Sequence, residues 1–176
     1  KISPKYHELG LEEKVSILEF LLADSDYHKL KGLHLLPLQD GNFASFRSRE
    51  DCHDKIFLAK PSDVDLFPNM ENMFLHLGES TQHLVEHFRK MANIGIYQLY
   101  ELAPGTSFLN LLQETLEKNF GNKYPVQIQA SNSKFTLLWI EKVWKYLMKN
   151  NIQLKLVEQF PLVPGFGEEK YMKHLT

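Results

Sequence analysis

The sequence has a single cysteine, Cys52, among 176 residues. One thiol cannot form a disulfide within the chain, and it cannot supply the several thiolates of a structural zinc cluster. Disulfide-stapled domains and thiolate zinc folds are therefore excluded. A reducing, cytosolic setting is the expectation that follows.

Long apolar runs are also missing. The stretch from Ile17 to Ala23 is interrupted by Glu19, whereas a membrane-spanning helix needs about 20 apolar residues. The sequence has no signal peptide and no Asn-x-Ser/Thr acceptor for glycosylation. We therefore expect no membrane insertion and a cytoplasmic location.

Neither sign of charge dominates, since 20 Lys and Arg stand against 22 Asp and Glu. No basic cluster could neutralise a run of phosphates, so no nucleic-acid partner is predicted. What the chain does have is 43% hydrophobic residues, a value typical of a folded domain with a real core. It begins at Lys1 without methionine, which favours a piece of a longer protein.

Residues 33–46 (LHLLPLQDGNFASF) predict one tight β-hairpin. Asp40-Gly41 favours a two-residue type I′ turn, because both residues tolerate positive φ. The facing pairs are then Gln39 with Asn42, Leu38 with Phe43, Pro37 with Ala44, Leu36 with Ser45 and Leu35 with Phe46. Both faces of this hairpin are apolar. We therefore expect the hairpin to be clamped between helices.

Pro37 has no N–H, which predicts that its strand lies at a sheet edge or on the non-bonded side of the ladder. An edge strand can bind an extended peptide by strand addition. A peptide-binding adaptor using the Pro37 edge strand is therefore one alternative function.

Apolar residues at helical spacing predict four main helices. They span residues 11–23, 81–92 with Ser80 as cap, 106–120, and 134–150 with Ser133 as cap. Strands are expected at residues 55–59 and within 94–102. The 134–150 helix is apolar along two stripes, so we expect it to be buried between other elements.

These elements predict an α+β fold, mainly helical, with one or two short antiparallel β-hairpins packed on a central C-terminal helix. We expect a single module that belongs to a larger repeat. Residues 1–60 hold a helix and the hairpin, and residues 61–130 form a helical middle. Residues 131–176 hold a tryptophan-rich helix and a second, truncated Pro-Leu strand.

A Pro-Leu phrase follows an apolar helix at both ends of the chain. Leu35-Leu36-Pro37 lines up with Leu162-Val163-Pro164, which suggests a repeated supersecondary unit. The first phrase resembles the LPLLPL-x-DG-x-F-x-x-F phrase of the sacsin internal repeats, and residues 139–147 with 160–164 resemble their second phrase. The residues that carry this resemblance are Leu35, Leu36, Pro37, Leu38, Asp40, Gly41, Phe43, Phe46, Trp139, Pro161, Leu162 and Pro164. His34 departs from the first phrase, and residues 165–168 lack the Asp-Gly turn after the second.

The resemblance implies a segment of a very large cytoplasmic co-chaperone whose repeated regions begin with an Hsp90-like module. It implies contacts with neighbouring repeats, with Hsp70 chaperones and with client proteins. It also implies a link to intermediate-filament and mitochondrial organisation. An Hsp90-like ATP site needs an Asn on a helix and an Asp-x-Gly-x-Gly loop, which have no suitable counterpart here. No nucleotide or other cofactor is therefore predicted.

One pattern points to catalysis. His83-x-x-Glu86-His87 matches H-x-x-E-H, in which two imidazoles one helical turn apart can bind zinc and the glutamate can polarise water. Nothing in the sequence marks a third ligand. A zinc metallohydrolase using these three residues is a further alternative to the expected function, a non-catalytic scaffold module with no metal site.

Overall fold

The computed structural model describes residues 9–121, 126–127, 134–166 and 170–173. The chain forms two compact units. The first unit contains Lys1–Pro61 and Glu71–Glu101, and the second contains Ser62–Met70 and Leu102–Thr176. The α-helices of the described residues are α1 (Leu11–Leu22), α2 (Pro61–Val64), α3 (Val85–Ile94), α4 (Thr106–Phe120) and α5 (Leu137–Lys149). The predicted α+β class, mainly helical with short strands, is confirmed.

The strands of the first unit form two two-stranded sheets, which isolated bridges at residues 74 and 75 link. They are β1 (Leu36–Pro37), β2 (Phe43–Ala44), β3 (Ile56–Leu58) and β4 (Leu99–Glu101). β1 pairs antiparallel with β2, and β3 pairs parallel with β4. Residues 74–75 connect the two pairs, through an antiparallel bridge to Leu38 and a parallel bridge to Phe57. The spatial order is therefore β2, β1, residues 74–75, β3, β4.

The core of the first unit is formed by these two sheets together with helices α1 and α3. α1 begins at Leu11 as predicted, and Glu13 accepts a hydrogen bond from the N–H of Gly10 at 2.8 Å. The buried apolar residues of this core include Val15, Leu18, Leu22, Leu35, Leu36, Phe46, Leu75, Phe88, Met91 and Leu99.

The predicted start and cap of α3 are wrong, and the strand predicted after it is shorter than the stretch it was placed in. α3 begins at Val85 after a 3₁₀ turn, Gln82–Leu84, and no side chain caps it. Its other end runs to Ile94, where Gly95 has a left-handed φ of 80°, so the strand predicted within 94–102 is confined to β4. Local β propensity lost to helix extension, because Gly95 provides a favourable helix stop.

The second unit contains α2, α4, α5 and a three-stranded sheet. The strands are β5 (Val126–Gln127), β6 (Val163–Phe166) and β7 (Lys170–Lys173), in the order β5-β7-β6. The second Pro-Leu phrase therefore forms a hairpin, with Pro164 opposite Met172. α5 contacts β6, so this hairpin packs on the C-terminal helix.

α5 differs from its predicted form in two respects. It begins at Leu137, and its cap is Thr136, whose hydroxyl accepts the N–H of Trp139 at 3.1 Å. The predicted cap, Ser133, lies outside the described residues. The helix also buries one main face, while Leu138 and Met148 are 60% and 68% exposed, so it is not buried on both sides.

Candidate functional site

The first Pro-Leu phrase lies in the interior of the first unit. Leu35 and Leu36 are buried on β1 or just before it, and Phe46 has no solvent exposure. Phe43 on β2 is half-buried, and the Nζ of Lys14 lies 4.2 Å from the centre of its ring. The hairpin thus shares its core with helices α1 and α3.

The turn of the hairpin has three residues, so the predicted two-residue register is wrong. Leu36 faces Ala44 and Pro37 faces Phe43, one position away from the expected pairing. Gly41 has φ of 84°, and its N–H donates to Leu38 O at 3.1 Å. Asp40 keeps a negative φ, and its carboxylate accepts the N–H of Asn42 at 3.0 Å. A type I′ turn would have required positive φ at Asp40 as well.

Pro37 lies in an inner strand, which removes the predicted edge for peptide addition. The N–H of His76 donates to Pro37 O at 3.0 Å from the side opposite β2. In an antiparallel pair residue 37 would return an N–H to His76 O, and proline has none. The hydroxyl of Thr81 donates to that carbonyl instead, at 2.5 Å, and Thr81 is fully buried. A side chain therefore replaces the missing backbone donor.

Arg49 is a second structural side chain that sequence reasoning missed. Its guanidinium donates to Tyr97 O at 2.8 Å and to Ala92 O at 2.7 Å, and it also binds Leu99 O. Its Cζ lies 4.1 Å from the ring centre of Tyr100. The rigid fork of arginine suits three carbonyls at once. Arg49 thereby joins the C-terminal turn of α3 to β4.

Gln98 performs a similar task just before β4. Its side chain donates to Ser45 O at 2.7 Å and accepts the N–H of Arg47 at 2.7 Å, and it is 2% exposed. These contacts join residues 51 or more positions apart. No local pattern marks such a residue in a sequence, because its role depends only on what the fold brings near it.

The histidine pattern does not assemble into a metal centre. His83 lies in the 3₁₀ turn before α3, with Nε2 3.7 Å from a carboxylate oxygen of Glu19. His87 Nδ1 is 3.2 Å from the hydroxyl of Tyr27, and Glu86 pairs with Arg89. Within the described ranges, no three His, Cys, Asp or Glu side chains could together hold a metal ion. The zinc alternative therefore has no geometric support.

Of the two tryptophans on α5, Trp144 anchors the second Pro-Leu phrase and Trp139 anchors a different segment of the second unit. Trp139 is 3% exposed, and its indole N–H donates to Leu66 O at 3.1 Å. Trp144 donates to Leu162 O at 2.9 Å. Pro161 and Leu162 are buried. These indoles pack and donate to backbone carbonyls, which is a structural use of tryptophan.

Two tyrosines, the buried Tyr97 and the partly buried Tyr146, have raised pKa values because the fold removes water from around them. Desolvation raises the pKa of Tyr97, with a smaller contribution from Asp26, and its hydroxyl donates to Tyr27 O at 2.7 Å. Desolvation also raises the pKa of Tyr146 to about 12, helped by Asp63. Tyr146 stacks on Phe108 with ring centres 4.1 Å apart. Both groups stay neutral at physiological pH and stabilise the interior.

The chain is similar to human sacsin, with 33% identity over 162 residues. The aligned part covers 87% of this chain. The chain is a sacsin-related segment. It spans only 4% of the length of human sacsin. No family model and no solved structure matches the chain.

The resemblance to sacsin predicted from the two phrases is thus supported by an alignment that extends far beyond them. The described helices include none with the length and apolar character that crossing a membrane requires.

Proposed function

We propose that this sacsin-related segment is a non-catalytic structural module of a giant cytoplasmic co-chaperone, and that it contacts neighbouring segments of the same polypeptide or client proteins. The chaperone role and the location rest on the family resemblance. The specific support comes from exposed apolar side chains near the end of α5.

Three exposed apolar residues lie within nine positions of one another in the second unit. Met148 is 68%, Leu154 63% and Leu156 49% exposed. Single exposed apolar residues are ordinary, whereas a contiguous apolar patch typically marks a contact surface, and our proposal takes these three residues as such a patch. Human sacsin is far longer than this chain, so we take an adjoining segment of the same polypeptide as the occupant.

The polar side chains inside the first unit also favour a structural role, because their hydrogen bonds go to the backbone of the protein itself. Arg49, Thr81 and Gln98 all bind backbone carbonyls. These bonds use polar side chains to hold the fold, and a catalytic centre would instead aim them at a substrate. We accordingly assign no catalytic residue.

Hydrogen exchange tests the proposed contact. The 176-residue chain is compared with a longer chain that keeps the native sequence on both sides. Residues 148–156 should exchange at least about tenfold more slowly in the longer chain, because a docked segment excludes solvent from their amides. Equal exchange in both chains would contradict the proposal.

Substitutions make the test specific. Met148→Ser, Leu154→Ser and Leu156→Ser together should abolish the added protection without lowering the melting temperature of the 176-residue chain. Phe20→Ser is the matched control, since Phe20 is 80% exposed on α1 in the other unit, and it should leave the protection unchanged. Saturable turnover of ATP, an ester or a peptide by the purified chain would overturn the non-catalytic assignment.

A further inference from the structure

The outer edge of β2 offers backbone hydrogen-bonding groups. Leu38 N–H donates to Asn42 O at 2.9 Å, and Leu36 faces Ala44. In this register the N–H and C=O of Phe43 point away from β1. Among the described residues, no strand or bridge pairs with β2 on that side. Phe43 can therefore exchange two hydrogen bonds with an added strand.

Gln98 limits the open edge to Phe43, because it already binds the next outward-facing backbone group. The carbonyl of the next outward-facing residue, Ser45, already accepts from the Gln98 side chain at 2.7 Å. Gln98 also receives the Arg47 N–H, and its own N–H donates to Arg47 O at 3.0 Å. These hydrogen bonds hold the backbone of residues 45–47 beside the open edge, where the side chain of Arg47 begins.

A pocket of about 440 Å³ lies directly beside this edge. Its apolar lining includes Leu38, Phe43 and Ile56, and Arg47 and Lys55 stand at its polar side. Pockets of roughly 300–1,000 Å³ with an apolar floor and a few polar groups are typical of binding sites. The volume is ample for one amino-acid side chain.

The charge of the pocket favours an acidic ligand. Arg47 and Lys55 bring two positive charges against the single negative charge of Asp54. The Arg47–Asp54 pair is long, at 3.8 Å, and both side chains are more than half exposed. Such exposed pairs contribute little, so an incoming carboxylate can take the place of Asp54 on the guanidinium, which binds carboxylates in a two-pronged geometry.

We propose that the β2 edge and the adjoining pocket bind an extended peptide whose acidic side chain enters the pocket and pairs with Arg47. Strand addition at Phe43 supplies the main-chain bonds, and the pocket supplies the selectivity. This proposal specifies one kind of partner for the contact role proposed above. It rests on the first unit, whereas the contact surface near the end of α5 is in the second, so either can fail alone.

Fluorescence anisotropy on the 176-residue chain tests it with a labelled octapeptide of alternating threonine and glutamate. Alternation places all four glutamates on one face of an extended strand. We expect saturable binding at low ionic strength, and at least about tenfold weaker binding of the matching threonine–lysine peptide. Arg47→Gln should weaken the acidic peptide about tenfold. Arg89→Gln is the matched control, because Arg89 is an exposed arginine paired with Glu101 and Glu86 outside the pocket.

A second measurement tests the strand pairing. Two peptides are compared, one methylated on its odd-numbered backbone nitrogens and one on its even-numbered backbone nitrogens. The peptide whose methyl groups block the N–H groups facing β2 should bind at least about tenfold more weakly. The amide of Phe43 should also exchange more slowly when the unmodified peptide is bound. Equal binding of acidic and basic peptides, or no effect of Arg47→Gln, would overturn the proposal. Free glutamate competing as well as the whole peptide would also overturn it, by showing a site for a small carboxylate without strand addition.

Discussion

The two Pro-Leu phrases of this chain occupy different positions in their sheets. β1, in the first unit, has neighbours on both sides, β2 and residues 74–76. β6, in the second unit, lies at one end of the order β5-β7-β6 formed by the described strands. Leu36 is fully buried, whereas Val163 at the equivalent place is half-buried.

The difference shows that a shared phrase specifies a hairpin without specifying its surroundings. In both units a side chain from outside the hairpin supports the phrase. In the first unit Thr81 donates to His76 O, the carbonyl that faces Pro37, and in the second unit Trp144 donates to Leu162 O. Only the inner strand has two ladders for proline to interrupt. A proline in an edge strand interrupts at most one.

The largest expected effect compares the equivalent apolar positions. Leu36→Ala should lower the free energy of unfolding of the first unit by about 2–5 kcal/mol, because it leaves a cavity in a closed core. Val163→Ala should cost about 1 kcal/mol or less in the second unit, since its side chain is already half in water. Unfolding in urea is followed by hydrogen exchange of the β1 amides for the first unit. Tryptophan fluorescence follows the second unit, because both tryptophans lie there. Equal losses would erase the proposed difference between inner and edge strand.

The next effect concerns the donor that replaces the proline N–H. Thr81→Val should cost about 1–3 kcal/mol, because it leaves the partly buried His76 O without that bond, and Thr81→Ser should restore most of the loss. Pro37→Ala supplies a backbone N–H facing the same carbonyl. The Thr81→Val cost should therefore shrink in a Pro37→Ala background, as a double-mutant cycle by urea unfolding would measure. An undiminished cost would mean that Thr81 acts through other contacts.

A smaller effect is expected at the turn that follows β1. Gly41→Val should destabilise the first unit by about 1–2 kcal/mol, because a β-branched residue resists the left-handed φ of 84°. No atom lies near enough to clash with an added side chain, so the cost is conformational. Gly41→Asn should be milder, since asparagine tolerates this region. Thermal stability of Gly41→Val equal to that of the parent chain would contradict the observed turn.

The smallest expected effect is a loss of stability at alkaline pH that the second unit should show through Tyr146. The pKa of Tyr146 is raised from 10.0 to about 12 in the folded second unit, so the native state keeps this proton longer than the unfolded state. Its stabilising contribution is complete below pH 10 and falls as pH rises from 10 to about 12. Tyr146→Phe should reduce the alkaline loss of stability seen by tryptophan fluorescence. Tyr97→Phe, in the first unit, should leave that signal unchanged.

Sequence patterns located several elements well and failed where distant contacts decide. α1 and α4 were predicted within a residue or two at each end, because their apolar spacing and stop signals are local. The hairpin was predicted but its register was not, since Asp40 adopts negative φ and uses its carboxylate to hold Asn42 N–H. The start of α5 was misplaced because Thr136 caps it in place of Ser133.

The candidate site was much less predictable than the elements. Nothing near Arg49 or Gln98 in the sequence indicates that each would bind backbone groups more than 40 positions away. The histidine pattern shows the opposite case, in which the spacing predicts a zinc site that the fold does not form. Its three side chains, His83, His87 and Glu86, have separate partners, namely Glu19, Tyr27 and Arg89.

The sequence by itself determined the approximate places of the main helices, the presence of the first Pro-Leu hairpin and the resemblance to sacsin, because apolar periodicity, turn residues and motif identity are all local properties of the chain. Tertiary structure alone decided that β1 is an inner strand, that Thr81 supplies the bond Pro37 cannot, and that Arg47 and Phe43 border one pocket. The physical reason is that hydrogen-bond satisfaction and burial depend on which distant groups become neighbours.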